Sequence, residues 1–303
     1  MSFNHVVIGG GTGWIGTALA CALRSQGTRV SIVTRRLSHA DDILWDDVER
    51  SGLPKSTSAV INVAGVNILD PLYRWNDDFK KQVWDSRIRT TKILTNAIRN
   101  SDVKYFGQIS GVAYYPPDGK EYSEDDKCQK YDYLSELVHA WEAAGELPND
   151  SKTRKVVIRS GVVLGRTGGM ISQIFFPFYL GFGGPIGSGN QYMPWIHISD
   201  LVELFIYSIE QEKIQGILNA VAPQLITNKE FTKAFGSAMW RPTIFPLPEF
   251  VLNIMFSQER AKIMTDGQKV IPKRTLEYGF EYEFPKIDMA CKQFSQIAYA
   301  GLY

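Results

Sequence analysis

Short apolar runs alternate with amphipathic stretches along most of the chain. The apolar runs are rich in β-branched residues and end at glycine or polar residues, which is typical of buried strands. This alternation predicts an α/β fold built on a doubly wound parallel sheet, with a ligand at the carboxyl ends of the strands. The predicted strands are Val6–Ile8, Arg29–Thr34, Ala59–Ala64, Tyr105–Ser110, Lys155–Leu164 and Gly216–Val221.

The amphipathic stretches repeat apolar residues every three or four positions, as the buried face of a helix does. Ile15, Leu19 and Leu23 form the first such stripe, in a helix that ends near Gly27. Asp200 is expected to cap the fourth predicted helix, with Glu203 completing a capping box. The further predicted helices are Asn76–Arg99, Leu134–Ala144, Leu201–Glu210, Asn228–Ala238 and Pro248–Met255.

The composition of the chain changes after Gly165. Glycine pairs and the aromatic run 175–179 follow, and residues 183–189 are again rich in glycine. This stretch is predicted to be rich in loops and to begin a smaller lobe on the substrate side of the sheet.

Three glycines, Gly10, Gly13 and Gly16, separate the first predicted strand from the first helix. Small residues let a backbone approach phosphates closely, and the free N–H groups at a helix start attract an anion. The spacing in this strand–turn–helix setting therefore predicts a site for a dinucleotide pyrophosphate. The alternative is a flexible glycine-rich turn in some other α/β protein.

The second predicted strand ends in Thr34 and Arg35, about 20 residues beyond the glycines. A site that prefers NAD places a carboxylate here to hold the ribose 2′-hydroxyl, and that carboxylate would repel a 2′-phosphate. A guanidinium instead grips a phosphate through paired, charge-assisted hydrogen bonds. Arg35 therefore favours NADP, and the alternative is that Arg35 and Arg36 are solvated loop residues.

Composition narrows the classes of protein to which the chain can belong. With 303 residues, 44% of them apolar and 21% charged, a globular protein with a sizeable core is expected. The net charge of +1 favours neither nucleic acid nor a membrane as partner. The three cysteines and four histidines lack the spacing of a disulfide framework or a metal site, so no metal is expected.

The first predicted strand begins almost at the amino terminus, which leaves no room for a targeting peptide. The most apolar stretch, 171–186, is too short and too often interrupted by glycine and proline to span a bilayer. The sequence therefore predicts a soluble, cytoplasmic protein.

Motifs along nearly the whole chain resemble the extended short-chain dehydrogenase/reductases, which have a Rossmann-type fold. The resemblance is strongest to the "epimerase family" branch, whose members carry a C-terminal domain of unassigned function. The matching segments are GGGTGWIG at 9–16, NVAG at 62–65, GVAYY at 111–115, WEAA at 141–144, RSGVVLG at 159–165, GGPIGSG at 183–189, PWIHI at 194–198 and GQKVIP at 267–272.

The resemblance implies two lobes and a bound NADP. The NADP-binding domain would take residues 1–165 and a return through 194–222, and a smaller substrate-side lobe would take 166–193 and 223–303. Relatives often form homodimers through two helices of the sheet domain. The positions that the resemblance places at the cofactor, together with the glycine turn, are Gly10, Thr12, Gly13, Trp14, Ile15 and Gly16 at the pyrophosphate, Thr34 and Arg35 at the 2′-phosphate, Val63, Ala64 and Gly65 at the adenosine, Gln82 and Arg87 on their helix, and Val163 at the nicotinamide.

The sequence departs from the family at the residues that carry the chemistry. Active members use a Tyr-x-x-x-Lys pair and a serine or threonine, with the tyrosine as general acid or base. Aligned on Glu142, this chain has Leu134 and Val138 at the Tyr and Lys positions and Gly111 at the Ser position. The proton donor is therefore unknown.

Four nearby residues are weak candidates for a proton donor. Ser110, Tyr114 and Tyr115 lie closest, and packing or loop contacts are the favoured interpretation of each. His197, on an apolar strand before a helix, also favours a structural role.

Two functions remain open from the sequence. The first is an NADP-dependent, oxidoreductase or epimerase-like enzyme acting on an unidentified small carbonyl or alcohol. The second is an NADP(H)-binding sensor or scaffold that has lost catalysis. The cofactor motifs fit both, the missing Tyr and Lys favour the second, and the aromatic, glycine-rich stretch favours the first because it would line a pocket.

Overall fold

The computed structural model of the protein describes residues 3–70 and 72–296, so the last seven residues of the predicted smaller lobe lie outside the described residues. The apolar runs form strands because their β-branched side chains pack well on both faces of a covered sheet. The strands are β1 (His5–Gly9), β2 (Arg29–Thr34), β3 (Ile43–Leu44), β4 (Ala59–Asn62), β5 (Tyr105–Gly111), β6 (Glu121–Tyr122), β7 (Arg154–Ser160), β8 (Val162–Gly165), β9 (Trp195–His197), β10 (Gly216–Ala220) and β11 (Lys269–Val270).

The helices follow the amphipathic stretches and cover the sheet. Several begin at capping residues, as Asn76 does by accepting a hydrogen bond from the backbone N–H of Phe79. The helices are α1 (Trp14–Ser25), α2 (Trp45–Ser51), α3 (Asp77–Arg99), α4 (Tyr133–Ala144), α5 (Gly169–Tyr179), α6 (Ile198–Glu210), α7 (Asn228–Ala238), α8 (Glu249–Phe256), α9 (Gln258–Thr265), α10 (Lys273–Glu277) and α11 (Ile287–Ser295).

Within the described residues, seven parallel strands form the central sheet in the order β10-β7-β5-β4-β1-β2-β3. The register places Gly9, at the end of β1, beside Val33 of β2 and Asn62 of β4. The chain crosses to one side of β1 and then to the other, so the direction of winding reverses between β1 and β4. A crevice opens at such a point, outside the carboxyl ends of the strands. The doubly wound parallel sheet predicted from the sequence is confirmed.

Alternate residues of β1 point into two different cores. Val6 and Ile8 pack with buried side chains of α1 and α6 on one face of the sheet. Val7 packs with buried side chains of α2 and α3 on the other face. Because both faces are covered, β1 is buried along its whole length and holds the glycine turn rigidly in place.

A separate core lies among α5, α7 and α11. Its buried side chains include Phe175 of α5, Phe235 of α7 and Phe294 of α11. A distinct core is what a second lobe requires, although the residue boundaries of the two lobes stay a prediction.

Three local predictions were wrong or incomplete. The stretch after Gly165 was expected to be loop-rich, but it contains α5, whose glycines stand at its start: Gly168 is the N-cap and Gly169 has φ +61°. β3 and α2, over 43–51, were not predicted. The predicted strand Lys155–Leu164 is two strands, since β8 leaves the central sheet to pair with β9.

The predicted cap of α6 was also wrong. This helix begins at Ile198, and its N-cap is His197, whose Nδ1 accepts a hydrogen bond from the Ser199 backbone N–H at 3.1 Å. Asp200 instead lies buried inside the first turn and accepts hydrogen bonds from the backbone N–H groups of Glu283 and Phe284, at 2.7 and 3.1 Å. The carboxylate ties the helix to a distant segment rather than to its own N–H groups.

In the part of the chain that the structure describes, no helix is long and apolar enough to cross a membrane.

Candidate functional site

The glycine turn brings the backbone after β1 against the backbone after β4. Gly10 has φ +79°, a conformation that L side chains rarely adopt. A Cβ on Gly10 would lie 2.6 Å from the Cα of Ala64. A Cβ on Gly16 would collide with the Gly10 carbonyl oxygen. Glycine is therefore required where the turn crosses the end of β4 and where α1 starts.

The amino end of α1 is open to an anion. Gly13 is the N-cap, so it offers no side chain to accept from the first N–H groups of the helix. The first turn also carries no acidic residue. These N–H groups and the positive end of the helix dipole therefore remain available to a phosphate, and Thr12 lies exposed beside them.

The side chain of Trp14 joins the glycine turn to the loop after β8. Its Nε1 donates a hydrogen bond to Thr167 Oγ1 at 3.0 Å. Its ring lies so close to Gly165, Gly168 and Gly169 that a Cβ on any of the three would collide with it. The backbone of Trp14 thus lies at the anion-binding end of α1, and its indole forms part of the wall opposite.

The end of β2 carries a guanidinium with no carboxylate partner. Arg35 is exposed and forms no ion pair with any residue that the structure describes. Thr34 is buried, and its hydroxyl donates to the Arg36 carbonyl oxygen at 3.0 Å and accepts from the Arg36 N–H at 3.3 Å. The hydroxyl of Thr34 therefore orders the turn that presents Arg35.

A second guanidinium, that of Arg87 on α3, contacts the segment after β4. Arg87 Nη2 donates to the Val66 carbonyl oxygen at 3.0 Å, and a Cβ on Gly65 would lie 3.0 Å from its Cζ. The guanidinium also lies 5.1 Å from the centre of the Trp141 ring. Burial lowers the pKa of Arg87 to about 10, so it stays protonated at neutral pH. Within the described residues it has no carboxylate partner, and it adds positive charge to this edge of the sheet.

The other predicted cofactor residues fall into two groups. Val63 and Ala64 follow the carboxyl end of β4, and Val163 lies in β8, with its carbonyl oxygen 3.0 Å from where a Cβ on Gly169 would lie. Gln82 is exposed on α3, and Ile15 is half-buried in the first turn of α1. Contacts of any of these residues with a cofactor stay a prediction.

The positions that the family resemblance assigns to the serine and the lysine lie side by side. A Cβ on Gly111, at the end of β5, would lie 3.6 Å from Cγ2 of Val138 on α4. Val138 is buried, and Leu134, one turn earlier on α4, is half-buried. The alignment of these two elements is therefore consistent with the family, but the groups at the positions are apolar.

Two of the candidate proton donors belong to a buried polar network instead. Ser110 Oγ donates to Glu142 Oε1 at 2.8 Å, and Glu142 forms a bidentate ion pair with Arg159, with both N–O distances 2.8 Å. Arg159 Nη1 donates to the Tyr115 hydroxyl at 2.9 Å, which in turn donates to Asn219 Oδ1 at 2.9 Å. Burial raises the pKa of Tyr115 to about 12. The network joins α4, β5, β7 and β10 and favours structural roles for Ser110 and Tyr115.

The remaining candidates are also held by packing. The Tyr114 ring lies 3.3 Å from the Arg159 guanidinium carbon and 4.5 Å from the centre of the His139 ring. His197 is buried against the rings of Phe284 and Phe294, 3.9 and 5.3 Å away between centres. Burial lowers the pKa of His197 to about 4, so it is neutral at physiological pH. These contacts favour structural roles for both residues.

Sequence reasoning missed the contact that closes the crevice on the C-terminal side. Glu259 of α9 accepts a hydrogen bond from Trp75 Nε1 at 2.7 Å and forms an ion pair with Lys80. Arg260 donates to the backbone carbonyl oxygens of Asp70 and Tyr73. These partners are more than 170 residues apart in the sequence, and no local pattern marks them.

Metal chemistry receives no support from the arrangement of possible ligands. In residues 3–70 and 72–296, no three His, Cys, Asp or Glu side chains are grouped so that they could hold a metal ion.

A family model matches residues 6–220, a range that includes the glycine turn and most of the central sheet. The chain belongs to the NAD dependent epimerase/dehydratase family. A second model, the domain of unknown function DUF1731, matches residues 247–294. The family predicted from the motifs is thereby confirmed, as is its C-terminal domain of unassigned function.

Two curated relatives in this family are similar over nearly their whole length. The epimerase family protein SDR39U1 of Bos taurus is 49% identical, over 95% of this chain and 99% of the relative. The Homo sapiens protein of the same name is 47% identical, over 95% and 99% respectively. A crystal structure of the human protein with NADPH superposes with a TM-score of 0.93 and covers 96% of this chain and 99% of that one. The epimerase/dehydratase family fold, with its Rossmann-like sheet, is thus established for this chain.

Proposed function

We propose that this chain is an NADP(H)-dependent oxidoreductase acting on a small carbonyl compound. The observation that carries the proposal is the uncapped amino end of α1 behind Gly10, combined with Arg35 at the end of β2. The crystal structure of the human relative contains NADPH. In this chain, the arginine at position 35 favours NADP over NAD.

The residues present fit this cofactor. The first turn of α1 offers N–H donors to the pyrophosphate, and a Cβ at Gly10 or Gly16 would fill the cradle. Arg35 supplies a positive charge for the 2′-phosphate, and Arg87 places a second guanidinium near Gly65. When bound, the cofactor would supply or accept a hydride, and the protein's part is to orient it at the carboxyl edge of the sheet.

Replacing Arg35 by aspartate is expected to weaken NADPH binding by about 1.5–3 kcal/mol, the scale of a charged hydrogen bond, or about tenfold to 150-fold in Kd. The affinity for NADH should change much less, because NADH lacks the 2′-phosphate. Titrations of the protein with NADPH and NADH, followed by nicotinamide fluorescence, measure both values.

The matched control is Lys104→Asp, which changes the net charge equally. Lys104 is exposed just before β5, at the edge of the sheet opposite the proposed site. It should leave both affinities unchanged. An equal loss of NADPH and NADH affinity in Arg35→Asp would contradict the 2′-phosphate role.

The second candidate function is an NADP(H)-binding sensor or scaffold without catalysis. The apolar side chains at 134 and 138 are the observation that favours it. The two proposals differ in one measurable result. A sensor would bind NADPH but would not oxidise it, whichever acceptor is supplied. Epimerase-like chemistry is disfavoured by the same residues, since it too needs a proton acceptor beside the substrate.

A homodimer and a cytoplasmic location stay predictions from the sequence. Sedimentation of the purified protein and microscopy of the tagged full chain would test them.

A further inference from the structure

The space beside the carboxyl end of β5 has an apolar floor. Gly111 and Val138 face each other there, and Val112 and Val138 belong to one buried cluster. Leu134 lies one turn before Val138 on α4 and is half-buried. A substrate that reached the carboxyl edge of the sheet here would meet hydrocarbon at the positions where related enzymes hold their acid.

Most of the hydroxyl groups around this floor donate to protein acceptors, whereas the Tyr114 hydroxyl accepts a hydrogen bond from the Cys128 N–H at 3.4 Å. The Tyr131 hydroxyl donates to the backbone oxygens of Ala113 and Tyr115, and the Tyr133 hydroxyl donates to the backbone oxygen of Lys80. Burial raises the pKa of Tyr133 to about 12 and that of Tyr131 further. With Ser110 and Tyr115 engaged in the network around Arg159, these groups are poor acids toward a substrate.

The lack of an acid at positions 134 and 138 separates two kinds of carbonyl substrate. Hydride addition to an isolated carbonyl leaves a localised alkoxide, and a positioned acid at its oxygen contributes about 10²–10⁴-fold to the rate. Hydride transfer to one oxygen of a conjugated ring dicarbonyl leaves an aromatic phenolate, the hydroquinone monoanion, instead. A phenol has a pKa of about 10, so its anion forms without help from the protein and takes its proton from water. The floor described above therefore suits the second kind.

The surface of α5 and of the segment that follows it is apolar and exposed. α5 starts against Trp14 of the glycine turn, and residues 170–187 contain no charged side chain. Phe176, Leu180 and Phe182 are exposed by 66%, 50% and 65%. Exposed apolar surface of this extent is typical of a binding groove. Two guanidinium carbons, those of Arg166 and Arg241, lie 3.2 and 5.3 Å from the centres of the Phe175 and Tyr179 rings on this helix. A quinone would need neither cation, because it brings only a ring and hydrocarbon.

We propose that the cleft takes a quinone as its substrate, an inference that rests on the proposed function. The quinone would accept the hydride supplied by bound NADPH at one carbonyl oxygen, which becomes a hydroxyl group. The π electrons then shift through the ring, the ring becomes aromatic, and the second carbonyl oxygen becomes the phenolate. One proton from water then completes the hydroquinone. The balance is one quinone, one NADPH and one proton to one hydroquinone and one NADP⁺, and no side chain needs to change its protonation state.

The test uses the full chain and three acceptors, namely menadione, FMN and cyclohexanone. NADPH oxidation is followed for each acceptor, with protein-free mixtures subtracted because quinones react slowly with NADPH alone. We expect oxidation with menadione and at least about 100-fold slower oxidation with cyclohexanone, the scale of a missing acid.

A binding measurement complements the activity assay. Menadione is titrated into the NADP⁺-loaded protein, and quenching of tryptophan fluorescence reports its Kd. Leu134→Trp should raise this Kd at least about tenfold by filling the space over the floor, the scale of one overpacked side chain. NADP⁺ affinity should stay unchanged. The matched control is Leu276→Trp, on α10, where Leu276 is 46% exposed and far along the chain from the glycine turn and α4.

The outcomes separate this inference from the proposed function. If NADPH does not bind, both proposals fail. If NADPH binds but FMN is the acceptor, if cyclohexanone is reduced as fast as menadione, or if menadione neither binds nor reacts, the quinone assignment is overturned and NADPH binding stands. A Leu134→Trp protein that binds menadione like Leu276→Trp would also overturn it.

Discussion

Replacing Arg159 by methionine is expected to lower the free energy of unfolding by about 3–5 kcal/mol. Arg159 is 1% exposed, and methionine would leave the Glu142 carboxylate, whose side chain is 14% exposed, without its bidentate partner. The Tyr115 hydroxyl would lose its donor as well. Although burial alone lowers the pKa of an arginine, the ion pair with Glu142 raises the pKa of Arg159 above its usual range, so the guanidinium is charged in the fold. Urea unfolding followed by tryptophan fluorescence measures the loss.

An exposed ion pair in the same protein provides the comparison. Arg89 and Glu49 lie 3.2 Å apart with side chains 67% and 51% exposed. Arg89→Met should change stability by no more than about 1 kcal/mol, since solvent screens such a pair. In the double variant Arg159→Met with Glu142→Gln, the loss should be smaller than the sum of the single losses. If Arg159→Met is no more harmful than Arg89→Met, the network does not hold the sheet to α4.

We compare the free energy of unfolding of Asp200→Asn with that of the unmodified protein. The difference is expected to shift by about 3 kcal/mol in favour of Asp200→Asn as the pH rises from about 4 to above 6. Burial raises the pKa of Asp200 from 3.8 to about 6, against the opposing hydrogen bonds from the Glu283 and Phe284 N–H groups. Between these pH values the folded state keeps a proton that the unfolded state has lost. Stability contributed by Asp200 therefore falls as pH rises through this window, and asparagine removes that fall while keeping an oxygen acceptor. Urea unfolding across this pH range, compared between the two proteins, checks it.

His197 acts in the opposite direction over nearly the same window. Its folded pKa of about 4 lies below the ordinary 6.5, so the unfolded state binds the extra proton and stability rises with pH. The contributions of Asp200 and His197 to the pH dependence of stability largely cancel in the unmodified protein. In Asp200→Asn only the contribution of His197 remains, so stability should rise with pH. Asp102→Asn, at an exposed position shortly before β5, is the control and should follow the unmodified protein. Parallel curves for Asp200→Asn and the unmodified protein would contradict the raised pKa.

The sheet was predictable because its strands carry local signals. β1, β2, β5 and β10 are short β-branched or aromatic runs closed by turn residues, and their alternation with helices predicted a parallel sheet. α5 was hidden because glycines at its start look like loop residues until Ile171, Phe175 and Phe178 are seen to share one buried face. The cap of α6 was misplaced since Asp200 has the right residue type, yet its acceptor atoms serve a segment 83 and 84 residues away.

Some features of the candidate site could likewise be predicted from the sequence, and others could not. The glycine turn and Arg35 could be found from the sequence because the phosphate groups they suit impose a residue type at a fixed spacing. The engagement of Ser110 and Tyr115 could not, because their partners Glu142, Arg159 and Asn219 come from three other elements. The contacts of Glu259 across the crevice were likewise beyond any local pattern.

Trp14 connects the glycine turn to the loop after β8, on the other side of the crevice. Its backbone belongs to the glycine turn at the start of α1, and its indole rests on Gly165, Gly168 and Thr167 of the opposite loop. We expect a ligand that orders one side to order the other as well, and such coupling would be reciprocal. The cofactor and the acceptor should each tighten the binding of the other by the same factor, so that cooperativity in this protein depends on one aromatic ring.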